Sequence, residues 1–162
     1  MSTAPAPLAL YSTVVPSQWI DYNGHMNVAY YVMAFDQATD AVLDHLGLGE
    51  AHRAATNCSA FVVETHINYQ HELVVDTPLR VETQLLGHDS KRVQLFHWMY
   101  NARSGELAAS TEILLVHVDL GSRHACAMPQ SILDRLNALA AEHINLPWPL
   151  AAGRAIKLAR RR

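Results

Sequence analysis

The apolar positions of the chain follow two rhythms. From Val28 to Leu46 the run VAYYVMAFDQATDAVLDHL contains no Gly or Pro and stops at GLG, Gly47 to Gly49, which predicts one long helix with a glycine stop. Its first two turns, VAYYVMAF, are apolar on every side, so this helix is expected to lie buried against something broad, such as a sheet. Beyond it the period changes to two. In SAFVVETHINYQ, Phe61, Val63, Thr65, Ile67 and Tyr69 alternate with Val62, Glu64, His66, Asn68 and Gln70, as in a strand with one polar face. Further strands are predicted over Leu79 to Leu86, Arg92 to Tyr100 and Leu107 to Val118. The turn clusters GHDSK and NARSG separate them, which reads as an antiparallel meander. Leu8 to Val15 is a strand ahead of the helix, and Pro129 opens a second helix through about His143, with Ile132, Leu133, Leu136 and Leu139 as its apolar stripe.

Strand, long buried helix, four antiparallel strands and a short helix make an α+β arrangement: one sheet wrapped around one hydrophobic helix. A lone sheet of this size leaves strand edges open. Pairing with a second copy is therefore expected, as a homodimer or homotetramer.

Composition narrows the picture. The 162 residues suit a single domain, expected over residues 1–150, with a basic C-terminal tail over 151–162. Half the residues are hydrophobic and 17% are charged, a globular balance. No apolar stretch is long enough for a membrane span and MSTAPAPLALYS lacks the basic start of a secretory signal, so a cytoplasmic location with no membrane partner is expected. The net charge of -3 hides an asymmetry. Five of the 12 Lys and Arg residues lie in the last nine positions, which leaves seven against 15 acids in the body, or -8. Such a body is a poor nucleic-acid binder. Cys58 and Cys126 have no metal-type spacing and read as reduced core thiols, and the ten histidines form no His-x-x-x-His with a nearby acid; no metal site emerges.

The entrance to the long helix, WIDYNGHMN, holds the candidate chemistry. Asn27 suits an N-cap and Asn23-Gly24 a tight turn, which leaves Asp21 and His25 without a structural task. Helix N-terminal amides can hold an oxygen that is becoming an oxyanion, and Gly24 lets a ligand approach the backbone. Donor amides plus the carboxylate of Asp21 are the minimum equipment for hydrolysing an activated acyl group. No cofactor is called for.

These residues, DYNGHMN followed by AYYVMAFDQATDAVL, resemble the entrance to the central helix of hotdog-fold acyl-CoA thioesterases of the 4-hydroxybenzoyl-CoA thioesterase type. The likeness covers about residues 8 to 120. It implies a hotdog fold, Asp21 as the catalytic carboxylate, nucleophile or general base, and oxyanion donors at the backbone of Asn27 and Val28. Within that family, ETHINYQHEL and GELAASTEILLVHVD are similar to thioesterases of bacterial carnitine and betaine breakdown, which implies betainyl-CoA as substrate.

Other residues carry weaker expectations. Glu64, His66 and Asn68 share a strand face, with Glu64 the substrate-binding candidate. Asp36 is a second candidate carboxylate, although Asp36 and Asp40 also mark an exposed helix face. Lys91 and Arg92 could hold the phosphates of coenzyme A. Trp19 and Tyr22, with Glu64, could attract a quaternary ammonium group, whereas Tyr30 and Tyr31 pack the core. Two rival functions stand beside hydrolysis. A hotdog enoyl-CoA hydratase would need its histidine one residue later than His25 and a proline in place of Gly24, and a non-catalytic acyl-CoA-binding module would not need Asp21.

Overall fold

A computed structural model describes residues 5–158. In chain order the elements are β1 (Leu8–Val14), a single 3-10 turn (Ser17–Trp19), α1 (Val28–Leu46), α2 (Glu50–Thr56), β2 (Cys58–Tyr69), β3 (Pro78–His88), β4 (Arg92–Asn101), β5 (Leu107–Asp119), β6 (His124–Ala125) and α3 (Gln130–His143). One antiparallel sheet in the order β1-β3-β4-β5-β2, with β6 added to β5, curls around α1.

Helix α1 starts and stops where its sequence dictates. Asn27 sits in extended backbone and its side-chain oxygen accepts from the Ala29 amide at 2.9 Å, taking up one of the free first-turn donors. Gly47 ends the helix at φ 80°, a left-handed conformation that costs a residue with a Cβ about 1–2 kcal/mol. The near half of α1 packs Tyr31, Ala34, Phe35 and Ala38 against Leu79, Val81 and Met99 of the sheet. The far half packs Val42, Leu43 and Leu46 against Leu85, Leu95 and Leu115. Ile132, Leu136 and Leu139 of α3 close that second half, so the C-terminal helix completes the core.

Nine polar residues are buried among the described residues, and His97 is the most enclosed of them. His97 of β4 is fully buried; its Nδ1 is 2.7 Å from Thr83 Oγ1 and its Nε2 is 3.2 Å from Thr39 Oγ1. Because the Thr39 hydroxyl donates to the Phe35 carbonyl at 2.8 Å, its oxygen is left to accept from His97 Nε2–H, and Nδ1 accepts from Thr83. A neutral imidazole satisfies the whole set. Burial pushes its pKa down to about 3.

Two expectations need correction. The four strands are not a simple meander: β3, β4 and β5 are consecutive neighbours, but β2 lies beyond β5 at the edge of the sheet. The link over residues 70–77 is too long for a tight hairpin and instead crosses the N-terminal end of α1, where Leu73 is buried. Nor does β2 alternate strictly. A bulge between Val62 and Glu64 leaves Val63 unpaired, so Val62 shares the helix-facing side with Thr65 and Ile67, while Phe61 turns outward with Glu64, His66 and Asn68.

Candidate active site

The segment Trp19–Asn27 folds back on itself before α1. Ile20 and Met26 form an antiparallel bridge, the Asp21 amide donates to the His25 carbonyl at 3.1 Å, and the Gly24 amide donates to the Asp21 carbonyl at 3.0 Å. Gly24 occupies φ 84° with open space where a Cβ would stand, so it serves both the turn and an unobstructed approach to the backbone. The loop is clasped from outside its own segment. Met26 N–H donates to the Leu73 carbonyl at 2.7 Å, and the Tyr31 hydroxyl accepts from the Leu73 amide at 3.1 Å.

Asp21 is half-buried, with both carboxylate oxygens held. Oδ1 accepts from the Asn23 amide at 2.8 Å and Oδ2 accepts from Asn27 Nδ2 at 3.2 Å. Asn27 thus does two jobs, its oxygen capping α1 and its nitrogen orienting Asp21. The expectation that the Asn27 backbone amide is an oxyanion donor meets a prior commitment, because that N–H donates to the Trp19 carbonyl at 2.9 Å. Val28, the first residue of the helix and exposed, has an amide with no intrahelical acceptor, so it retains the donor geometry.

The aromatic candidates differ from one another. Trp19 is buried, with one face covered by Tyr30 stacked at 5.4 Å and 10° between planes. Tyr22 is 96% exposed at the tip of the loop. Tyr31 is buried, and Tyr30 is half-buried against the same core. His25 is half-buried and its Nδ1 lies 3.3 Å from the Met26 carbonyl oxygen.

Glu64 falls on the sheet face turned away from α1, where with His66, Gln94, Glu112 and Arg154 it lines a cavity of about 310 Å³. Within one chain the fold does not bring it to the Asp21 side of the sheet. Arg92 is paired with Asp89 at 2.6 Å, and both the Lys91 and Arg92 amides donate to the same carboxylate at 2.8 Å, which holds Asp89 down at about 2. Lys91 Nζ reaches the Ala125 carbonyl at 3.5 Å. Gly153 N–H donates to Glu112, and residues 159–162 of the basic tail lie outside the described residues.

One feature of the site escaped the sequence pattern. An apolar cavity of about 200 Å³ opens between α1 and β2, lined by Val32, Phe35, Thr39, Val62, Thr65 and Ile67, with Asp36 exposed on its rim. The bulge that turns Val62 inward creates part of this wall, and nothing in the residue types around Val63 announces a bulge. No helix among the described residues is long and apolar enough to cross a membrane.

Comparison with known proteins gives a consistent picture. Residues 15–136 match the thioesterase-like superfamily. The betainyl-CoA thioesterase of Pseudomonas aeruginosa is 41% identical over 151 residues, covering 93% of this chain and 95% of that protein. The L-carnitine dehydrogenase/betainyl-CoA thioesterase of Agrobacterium fabrum is 41% identical over 157 residues, but this chain spans only 32% of its length. Among solved structures, a Staphylococcus aureus protein in complex with CoA superposes with a TM-score of 0.88 at 25% identity, covering 97% of this chain and 99% of that one.

Proposed function

The chain belongs to the thioesterase-like superfamily, and from that premise we propose that it hydrolyses betainyl-CoA to betaine and CoA with Asp21 as its catalytic carboxylate. It has the hotdog fold and is a thioester hydrolase. The observation that carries the assignment of Asp21 is its pairing with Asn27 at the mouth of α1. A carboxylate fixed by two amide donors beside a helix N-terminus stands where a thioester carbonyl would find both an attacking group and a partial positive charge. The Val28 amide would receive the developing oxyanion. The leaving thiolate has a conjugate acid with a pKa of roughly 8.5, so its departure needs little acid assistance and one carboxylate can suffice. Asp21 would either attack the carbonyl, forming an anhydride that water opens, or take the proton of the attacking water.

The substrate class draws its support from the Pseudomonas aeruginosa relative, matched over nearly its whole length. Tyr22, exposed on the site loop, is the aromatic best placed to meet a trimethylammonium group, at ~0.5–2 kcal/mol per contact. Trp19, with one face against Tyr30, would contribute by shaping the loop. We further propose that two copies associate along β2, whose outer edge is unpaired among the described residues and carries exposed Phe61, Val62 and Val63; such pairing would bring the partner's copy of this strand face toward the site.

The test has two parts. Asp21→Asn keeps the shape of the side chain but can neither attack nor accept a proton, and should lose at least ~10²-fold in turnover. Normal turnover by the folded variant would remove Asp21 from the mechanism. In a panel of acyl-CoAs, betainyl-CoA should give the highest kcat/KM, whereas an equal value for a neutral acyl group of similar size would leave thioester hydrolysis standing and discard the cationic substrate.

A further inference from the structure

Toward the other end of α1 the fold brings Cys58 beside His117 and Cys126, which are remote from it in sequence. Cys58 opens β2 opposite Asp119, and His117 lies two residues earlier on β5, so both point to the same face of the sheet. Cys126 follows β6, and its amide donates to the His117 carbonyl at 2.9 Å, which sets it beside the histidine from the opposite flank. The two Sγ atoms are 3.9 Å apart, Cys126 Sγ is 3.3 Å from His117 Nδ1, and one ligand atom from each residue falls within 4.8 Å of the others.

The geometry points to a binding site for a single soft divalent cation such as Zn²⁺, held by Cys58, Cys126 and His117 Nδ1. Tetrahedral coordination with metal–sulfur bonds of about 2.3 Å and metal–nitrogen bonds of about 2.0 Å places two thiolates ~3.8 Å apart and a thiolate ~3.6 Å from the ring nitrogen. The observed 3.9 and 3.3 Å are close to those separations. A disulfide would require the sulfurs to close from 3.9 Å to about 2.05 Å.

His117 also has a partner on the far side of its ring. The other nitrogen of His117, Nε2, lies 3.0 Å from Nε2 of His52 on α2. In this structure Nδ1 also lies 3.1 Å from the Cys126 carbonyl oxygen, so the ring donates there and Nε2 accepts from His52; binding an ion through Nδ1 would displace that proton and leave an Nε2–H for His52 to accept. Binding replaces two thiol protons by two metal–sulfur bonds, with the protons released to solvent. Cys58 and Cys126 are both half-buried and His117 is buried. A bound ion would tie the start of β2, the end of β5 and the segment after β6 into one unit.

The experiment begins with reduced, metal-free full-length protein titrated with Co²⁺ and then Zn²⁺. A single equivalent of Co²⁺ should produce a thiolate-to-cobalt charge-transfer band in the near ultraviolet, and Zn²⁺ should abolish it. Cys58→Ser and Cys126→Ser should each lose that band, and His52→Gln should bind the metal about 10-fold more weakly. An arm that needs no variant uses alkylation: Zn²⁺ should protect both thiols of the wild-type protein, read by peptide mass. A missing cobalt–thiolate band, or thiols equally reactive with and without Zn²⁺, would overturn the site. So would a reduced protein that takes up no metal but joins Cys58 to Cys126 on exposure to an oxidant, since the pair would then be a redox couple.

Discussion

Replacing His97 by Gln should flatten the loss of stability that the wild-type protein suffers on acidification, because His97 is buried as a neutral ring between Thr39 and Thr83. Its pKa is about 3 in the folded chain against 6.5 for an ordinary histidine. Between those values the unfolded chain takes up a proton that the folded chain refuses. The stabilisation is therefore fully present above pH 6.5 and declines as pH falls toward about 3, at ~1.4 kcal/mol per pH unit. From about pH 7.5 to about pH 5 the loss integrates to ~2 kcal/mol. The Gln side chain keeps one donor and one acceptor for the two threonines but has no proton to gain. Urea unfolding at the two pH values, at fixed protein concentration because an oligomer would couple stability to concentration, supplies the comparison. His52 and His143, whose pKa values burial also lowers, act equally in both proteins and cancel. Parallel pH dependences in wild type and His97→Gln would refute the reasoning, whatever constant offset the substitution introduces.

Three further outcomes follow from named contacts. Asn27→Ala should cost ~1 kcal/mol of stability through the lost cap and also lower kcat, since Asp21 loses its Nδ2 partner; a stability loss with unchanged kcat would separate the two jobs. Gly47→Ala should destabilise by about 1–2 kcal/mol in thermal melts, because φ 80° is strained for alanine and the new Cβ would collide with Arg135 Nη1, displacing that side chain from the Leu46 carbonyl. Val63→Lys, at the bulge on the exposed edge of β2, should shift the protein toward monomer in light scattering, and an unaltered mass would place the contact between copies elsewhere.

Where the apolar rhythm was long, the sequence was informative. Helix α1 runs over the predicted Val28–Leu46, and the cap at Asn27 and the glycine stop are as their residue types imply. The strands over β3, β4 and β5 emerge within a residue or two because the turns GHDSK and NARSG separate them. Pairing order was harder to read. That β2 lies beyond β5 is a matter of which edges meet in space, and the alternation of β2 failed at Val63 because a bulge adds a residue without changing its type. Helix α2, only seven residues with none buried, has no apolar stripe to betray it. At the candidate site, the closeness of Asp21, Gly24 and Asn27 was legible because local turns bring them together. The union of Cys58, His117 and Cys126 was not, since nearly sixty residues separate the first two.

The clasp at Leu73 ties the fate of the site loop to the order in which the chain folds. Met26 cannot make its hydrogen bond until the crossover after β2 has swept past the mouth of α1, and that in turn waits on β2 finding its place beside β5. The loop that presents Asp21 is therefore expected to assemble late, through contacts between residues remote in sequence, even though every residue in it is local to the next. Once formed, it cannot fray on its own. Amide hydrogen exchange at Met26 should occur only through openings that also release the crossover, so that a surface loop exchanges with the slowness of the interior.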